Sequence, residues 1–134
     1  MEELIRFFEE NIRFNAFMGV KVDELGPGFA RLKLPWRDEF LGDPLRPALH
    51  GGVTAFLADG CGGLAVYTQI MPDGRCSTVD LRMDYLHPGG PEDLVAEARV
   101  LRTGNRVSVV NIEVRQGEQL IAEGRAVYNI VIKK

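Results

Sequence analysis

The chain has 134 residues, of which 46% are hydrophobic and 26% charged, and its formal net charge is −3. This length predicts one domain over residues 1–134 with a sizeable core, and the balanced charge gives no reason to expect nucleic acid or an anionic membrane as partner. The two cysteines, Cys61 and Cys76, lack the spacing of a zinc site and are too few for a disulfide framework, so we expect no zinc site and a reducing cytoplasm.

The amino-terminal segment, from Glu2 to about Asn15, predicts an amphipathic helix, because Leu4, Ile5, Phe8 and Ile12 fall on one stripe. Acidic residues throughout the segment argue against a signal peptide. We expect this helix to pack against the rest of the domain, and a lid over a functional site is the alternative.

A β-hairpin follows. The stretches Val20–Leu25 and Phe29–Leu34 alternate apolar and polar residues with period two, and Gly26-Pro27-Gly28 separates them. Residues 36–48 are rich in Pro, Gly and Asp and predict a loop.

His50-Gly51-Gly52 opens an apolar run that continues to Met71-Pro72-Asp73-Gly74. At about eighteen residues it is longer than ordinary strands and predicts a helix, buried because it is apolar on nearly every side. Its glycines and one aspartate argue against a membrane span. Period-two stretches then predict an antiparallel sheet and an α+β fold; they are Val79–Tyr85, Leu94–Arg102, Arg106–Arg115 and Leu120–Ile132.

Asp59 is the only charge between Val53 and Tyr67. Its neighbours three and four residues away on the predicted helix are Ala55, Phe56, Gly62 and Gly63, and none can pair with an anion. A buried, unpaired carboxylate costs several kcal/mol. Asp59 therefore has either a functional role or a hydrogen-bond donor elsewhere in the fold.

The order of these features resembles a known family. An HGG-opened helix with Ala58-Asp59 after it, followed by STVDLRMDYLHPG, is similar to the hotdog-fold acyl-CoA thioesterases, and most similar to the phenylacetate-pathway and human thioesterase-superfamily branch. The resemblance covers nearly the whole chain. It implies an antiparallel sheet wrapped around a long central helix, with an N-terminal helix, in dimers that share one continuous sheet and usually pair into tetramers. It also implies hydrolysis of acyl-CoA without metal or cofactor.

Hydrolysis of a thioester needs a donor to the carbonyl oxygen and a group that activates water or attacks directly. Gly51 and Gly52 lie at a helix N-terminus, which offers free N–H groups and lets a substrate carbonyl approach the backbone. The resemblance assigns the donor to the N–H of Gly51, and Asp59 then acts as general base or nucleophile.

Gly51 and Asp59 cannot act on one carbonyl from one helix. They are separated by about 12 Å along the helix axis, whereas reacting groups must come within roughly 3–3.5 Å. Two antiparallel helices related by a two-fold axis would bring each Gly51 opposite the other Asp59. The resemblance implies a site at the dimer interface of this kind.

Other site candidates are weaker. His50 either touches the thioester or is a structural residue of the turn. The resemblance implies a hydroxyl at the start of the strand after the helix, where Thr78 fits better than Ser77. The family pattern NPxGxxHGG corresponds here to GDPLRPALHGG, with Asp43 in place of Asn and the register one residue out.

The turn Arg102-Thr-Gly104-Asn-Arg106 resembles a basic turn of the family and predicts a site for the CoA phosphates, with a hairpin of solvated arginines as the alternative.

Two other functions stay open: a non-catalytic acyl-CoA-binding protein, and a hydroxyacyl dehydratase of the same fold, although its HFPG-type signature is missing. The sequence does not predict which acyl group is cleaved, because it does not determine whether the side chains of Phe56, Tyr67 and Met83 face the substrate pocket.

Overall fold

The computed structural model describes residues 1–132. The helices are α1 (Glu2–Arg6), α2 (Arg13–Met18) and α3 (Gly51–Ile70), with a π-helical turn at Phe7–Asn11 and a 3₁₀ turn at Asp38–Phe40. The strands are β1 (Lys21–Gly26), β2 (Phe29–Leu34), β3 (Leu41–Asp43), β4 (Ala48–Leu49), β5 (Gly74–Tyr85), β6 (Leu94–Thr103), β7 (Val107–Gln116) and β8 (Gln119–Ile132).

Six strands form one antiparallel sheet in the order β1-β2-β6-β7-β8-β5, and this sheet wraps around α3. The predicted α+β hotdog fold is confirmed. The predicted hairpin is also confirmed, and its turn depends on Gly28, whose φ of 68° favours glycine. The strand β5 lies at one edge of the sheet and pairs only with β8 among the described residues.

The predicted long helix is confirmed as α3. One face of it is buried against the sheet; the buried residues include Val53, Leu57, Cys61, Leu64 and Ala65. The prediction of burial all round is wrong, because a second stripe of α3 is only half-buried in the single chain. That stripe carries Phe56, Asp59, Gly60, Gly63 and Tyr67.

The predicted continuous helix from Glu2 to Asn15 is wrong. The α-helix ends at Arg6, the N–H of Ile12 donates to the Phe7 carbonyl at 3.1 Å in a π-helical turn, and Ile12 itself is extended. The side-chain amide of Asn15 donates to the Phe8 carbonyl at 3.0 Å and so stabilises the break. The predicted packing does hold, because Leu4 and Phe8 are buried.

The segment 36–48 is more regular than the predicted loop. Its strands β3 and β4 pair as a short antiparallel hairpin. The His50 N–H donates to the Phe40 carbonyl and the Leu49 N–H to the Gly89 carbonyl, both at 2.8 Å. These bonds fix the backbone that leads into α3.

The predicted strands after α3 are present, with shifted ends. The largest shift is in β5, which begins at Gly74 instead of Val79. Its register against β8 changes between Thr78 and Asp80, so that Val79 is an extra residue in a β-bulge.

In the described part of the chain, no helix combines the length and apolarity needed to span a membrane.

Candidate active site

The carboxylate of Asp59 is held by hydroxyl groups. The Thr78 hydroxyl donates to Oδ1 of Asp59 at 2.7 Å, and the Tyr128 hydroxyl lies 3.2 Å from the same oxygen. Tyr128 also donates to the main-chain carbonyl of Asp59 at 2.7 Å. Among the ion pairs of residues 1–132, none includes Asp59. Neutral donors stabilise a carboxylate while leaving its charge available for chemistry.

Thr78 and Tyr128 reach Asp59 together because of the sheet register. The two residues are cross-strand partners on β5 and β8, so their side chains project from the same face of the sheet, toward α3. Of the two hydroxyls predicted from the sequence, Thr78 makes the hydrogen bond to Asp59. Ser77 lines the cavity beside it.

Tyr128 is a site residue that the sequence analysis missed. It is 1% exposed, and burial together with the Asp59 carboxylate raises the pKa of Tyr128 above its ordinary value, so it stays a neutral donor. A side chain at position 62 would collide with the Tyr128 hydroxyl. The available sequence signal was therefore Gly62, which reports a close neighbour but not its identity.

A cavity of about 320 Å³ opens beside Asp59. Most of its walls are apolar; they include Phe8, Ile12, Phe14, Phe56, Leu64 and Tyr67. Phe14 and Phe56 meet edge to face with ring centroids 5.0 Å apart. The amino-terminal segment thus packs on the core, as predicted, and also contributes one wall of the cavity.

At the other end of the candidate site, His50 is the N-cap of α3. Its Nδ1 accepts the Gly52 N–H at 2.8 Å, and its carbonyl accepts the Val53 N–H at 3.0 Å. The N–H of Gly51 has no partner within residues 1–132. The Tyr85 hydroxyl donates to the Gly51 carbonyl at 2.9 Å. Gly51 is therefore held in place while its own amide stays free to donate.

A single chain does not bring Gly51 and Asp59 together. Both lie on α3, a helix without a break, so the spacing of about 12 Å along the axis holds in the folded chain.

Asp43 is engaged locally. Its carboxylate accepts from Arg46 Nε at 2.6 Å and from the Leu45 N–H at 2.9 Å, and the arginine holds the pKa of Asp43 below its usual range. These contacts close the turn between β3 and β4. Asp43 makes no hydrogen bond to the HGG turn or to Asp59 in the described structure.

The basic turn joins β6 to β7 near the carboxyl end of α3. The N–H of Gly104 donates to the Val107 carbonyl at 2.8 Å, and the Thr103 hydroxyl donates to Oε1 of Gln69 at 2.6 Å. Arg102 and Arg106 are exposed, and neither forms an ion pair with another residue of the described chain.

The cysteines do not suit nucleophilic catalysis. Burial raises the pKa of the Cys61 thiol, which contacts the Ala30 carbonyl, and raises the pKa of the Cys76 thiol to about 11. Both thiols are thus protonated near neutral pH. Over residues 1–132, no cluster of three His, Cys, Asp or Glu residues could hold a metal ion.

Comparison with known proteins places the chain in context. A family model described as the thioesterase superfamily matches residues 47–123. The medium/long-chain acyl-CoA thioesterase YigI of Escherichia coli (strain K12) is 33% identical over 137 residues, covering 92% of this chain and 88% of YigI.

Two solved structures are also similar. A variant of the phenylacetic acid degradation protein PaaI from Thermus thermophilus is 29% identical, with a TM-score of 0.78 and coverage of 87% of this chain and 97% of that one. PaaI from E. coli has a TM-score of 0.87 over 97% of this chain and 92% of its own, but at 22% identity it supports the fold alone.

Proposed function

Because the chain belongs to the thioesterase superfamily, as its motifs predicted, we propose that it hydrolyses acyl-CoA thioesters to free acid and CoA at a site shared by two copies of the chain. The observation that carries this proposal is the pairing of Asp59, held by two hydroxyls at an apolar cavity, with an unused amide on Gly51. Each group fits one of the two tasks that thioester hydrolysis requires.

Asp59 is proposed as a general base that acts on water. Thr78 has one hydroxyl proton and donates it to Asp59, so its oxygen is left to accept a hydrogen bond. A water between Thr78 and Asp59 would donate one proton to each. As the water oxygen bonds to the thioester carbon, its proton passes to the carboxylate.

The carbonyl oxygen becomes an oxyanion in this step and is stabilised by the N–H of Gly51 of the partner subunit. The helix end adds its partial positive charge. When the tetrahedral intermediate collapses, the carbon–sulfur bond breaks and the protonated Asp59 returns its proton to the CoA thiolate. No metal or cofactor takes part in the proposed reaction.

The free edge of β5 supports a dimer. This strand spans Gly74–Tyr85 and leaves one edge of backbone donors and acceptors unpaired in the described chain. Apolar side chains on and just after it are exposed, including Val79 at 64% and Tyr85 at 56%. Pairing of two β5 strands would extend the sheet and cover the half-buried stripe of α3 that carries Asp59.

We propose a medium- or long-chain acyl group as the substrate. YigI is named for that substrate class, and the cavity beside Asp59 has the apolar lining that such a chain needs. Phe56 and Tyr67 mark the ends of its helical wall, about 16 Å apart along α3. PaaI is named for phenylacetic acid degradation, so phenylacetyl-CoA is the alternative to test.

The basic turn fits the CoA end of the substrate. In a dimer with antiparallel α3 helices, the acyl cavity of one chain and the turn Arg102–Arg106 of the other lie in opposite directions from the shared site. An acyl-CoA requires this, since its acyl group and its CoA leave the thioester on opposite sides. Gly52 and Ser77 would line the path without donating to the reacting atoms.

A panel of acyl-CoA substrates tests the proposal. The purified protein is given acetyl-, hexanoyl-, dodecanoyl-, palmitoyl- and phenylacetyl-CoA, and free thiol is measured over time. We expect the highest kcat/KM for the longer aliphatic chains. Binding without release of thiol from any substrate would contradict a thioesterase and favour a CoA-binding protein.

The role of Asp59 is tested by one turnover in H₂¹⁸O with enzyme in excess. A general base gives acid product that carries the heavy oxygen and leaves Asp59 unlabelled. A nucleophilic Asp59 would form a mixed anhydride with the acyl group, and attack of water on the Asp59 carbonyl of that anhydride would place the label in the Asp59 peptide. Attack on the acyl carbonyl would label the product instead, so rapid-quench mass spectrometry for an acylated enzyme accompanies the isotope experiment.

A further inference from the structure

The hydrogen bonds of Asp59 are distributed unevenly between its two oxygens. Oδ1 receives the Thr78 hydroxyl at 2.7 Å and has the Tyr128 hydroxyl at 3.2 Å. Oδ2 has no hydrogen-bond partner within residues 1–132. A carboxylate free to rotate would use its oxygens interchangeably, whereas this one is held from one side.

We propose that Tyr128 is a positioning residue for the hydrolysis: together with Thr78 it occupies Oδ1 of Asp59 and dedicates Oδ2 to the attacking water. This inference rests on the proposed function, since it concerns how the general base is oriented.

The contacts of Tyr128 suit this task. Its hydroxyl donates to the main-chain carbonyl of Asp59 at 2.7 Å and also lies within reach of Oδ1 of the same residue. One rigid phenol therefore contacts both the backbone and the carboxylate of Asp59. The hydroxyl remains a neutral donor, because burial and the nearby carboxylate raise the pKa of Tyr128.

The surroundings hold the phenol in a single place. Tyr128 is 1% exposed, and its ring lies over Gly62 and Gly63 of α3. A Cβ at position 62 would overlap the hydroxyl, whereas a Cβ at position 63 would lie 3.6 Å from the ring. Because residue 62 is a glycine, the Tyr128 side chain on β8 has room to reach the helix backbone at Asp59.

Positioning of this kind predicts an effect on turnover and little effect on substrate binding. Tyr128 contributes to the cavity wall but is 1% exposed, so it offers almost no surface for binding a substrate. Without the Tyr128 hydroxyl, Asp59 keeps its charge but loses its fixed orientation. The Oδ2-to-water geometry then varies, and misplacement by about 1 Å can cost on the order of a hundredfold in rate.

Tyr128→Phe removes the hydroxyl and keeps the ring. We expect kcat to fall by roughly tenfold to a hundredfold with KM changed less than about twofold.

Thr68→Val is the matched control. Thr68 lies on α3 outside the cavity; its hydroxyl donates to the Ala65 carbonyl at 2.6 Å and accepts the Gly28 N–H at 2.9 Å, and it makes no hydrogen bond to Asp59. We expect this variant to keep the wild-type kcat. An equal loss in both variants would show a general effect of removing a hydroxyl that packs on α3 and would overturn the positioning role.

A double-mutant cycle adds a second readout. If Tyr128 acts through Asp59, then Tyr128→Phe combined with Asp59→Asn should be no slower than Asp59→Asn alone. Additive losses would contradict the proposal. If Tyr128→Phe does not fold, Gly62→Ala displaces the same hydroxyl from the helix side and should lower kcat with little change in KM; an unchanged kcat in the folded variant would overturn the positioning role.

The two proposals can fail separately. An inactive wild-type enzyme across the acyl-CoA panel would reject the proposed function itself. An active wild-type enzyme with an unaltered Tyr128→Phe variant would reject only the positioning role.

Discussion

The two ends of the candidate site differ in how far one chain completes them. Around Asp59 the single chain supplies two hydroxyl donors, one of them on a buried tyrosine, and an apolar cavity. Around Gly51 it supplies a free amide, a capping histidine and a tyrosine that holds the backbone, with Asp59 about 12 Å away along the helix.

In the proposed mechanism, this difference gives each chain two half-sites with different tasks. The Asp59 half would orient a base and hold a substrate chain, and the Gly51 half would polarise a carbonyl. The straight helix between them keeps the halves about 12 Å apart, so the proposed site takes the opposite half from a second chain. The following experiments disable one half at a time.

Loss of the Asp59 half should have the largest effect. Asp59→Asn keeps the volume and an oxygen that Thr78 and Tyr128 can reach, so we expect normal folding. It removes the base, and kcat should fall by roughly 10²–10⁴-fold. Steady-state kinetics on the best acyl-CoA substrate measure this effect.

Asp80→Asn is the control for Asp59→Asn. Asp80 is an exposed carboxylate on the same strand as Thr78 but contributes to the outer face of the sheet. It should retain full activity. Turnover by Asp59→Asn close to wild type would rule out Asp59 as the base.

Loss of the Gly51 half should be nearly as damaging. Gly51→Pro removes the amide donor at the first position of α3, where proline is well tolerated, and His50 already has the extended backbone that a following proline requires. We expect a fall in kcat of roughly 10²–10³-fold.

Gly51→Ala separates the amide from the added bulk. Both substitutions add a Cβ, which would lie 3.4 Å from the Tyr85 ring, but only proline removes the N–H. The alanine variant should keep most of the activity. If alanine and proline were equally inactive, crowding against Tyr85 would explain the loss and the amide would have no special role.

Mixing the two inactive variants tests whether the halves come from different chains. A hybrid dimer of Asp59→Asn and Gly51→Pro holds one intact site, with a good aspartate from one chain and a good amide from the other. Activity should return on subunit exchange, toward half the wild-type value per hybrid. Hybrids verified by native mass spectrometry that stay as inactive as their parents would contradict the shared site.

The asymmetry between the halves also explains what the sequence revealed. The HGG turn, the long helix and the isolated Asp59 depend on local patterns, and all three were readable from the chain. The partners of Asp59 come from β5 and β8, which meet through sheet register. Thr78 was found only through a family resemblance, and Tyr128 was missed because an apolar period-two strand gives its tyrosine no special signal.

The amino-terminal segment was misjudged for a related reason. Its apolar stripe is compatible with one helix, but the helix is interrupted at Ile12, which is extended, and the Asn15 side-chain amide donates to the Phe8 carbonyl across that break. The role of this segment as a cavity wall likewise depends on Phe14 meeting Phe56 across the fold. Periodicity reports which face of a segment is apolar but not what that face covers.

A substitution in the wall of the Asp59 cavity should change substrate preference by an intermediate amount. In Gly63→Ala, the new Cβ meets only ordinary contacts, at 3.6 Å from the Tyr128 ring and 4.0 Å from the Cys76 sulfur. It narrows the cavity, so kcat/KM should fall several-fold for dodecanoyl-CoA and little for hexanoyl-CoA. Helix propensity should raise stability by up to about 1 kcal/mol, measurable by denaturant unfolding.

Gly62→Ala is the informative counterpart of Gly63→Ala. Its Cβ would collide with the Tyr128 hydroxyl, so the same helix-favouring change should destabilise the protein and slow all substrates alike. A similar gain in stability for both variants would show that Tyr128 does not need the space left by the missing side chain at position 62.

The smallest expected effect lies outside both halves, at the basic turn. Arg102 and Arg106 are exposed and have no ion-pair partner in the described chain, so each contact with a CoA phosphate should contribute only about 0.2–1 kcal/mol. Replacing both with Ala should therefore raise KM for acyl-CoA by a few-fold, leave kcat unchanged, and make KM less sensitive to salt.

The matched substrate is the same acyl group on N-acetylcysteamine, which lacks the nucleotide and should show no change in KM. Arg125→Ala, on the outer face of the sheet, controls for the loss of positive charge. An equal rise in KM for acyl-CoA and for the truncated thioester would show that these arginines do not recognise CoA. The site would then consist of the Asp59 half and the Gly51 half alone.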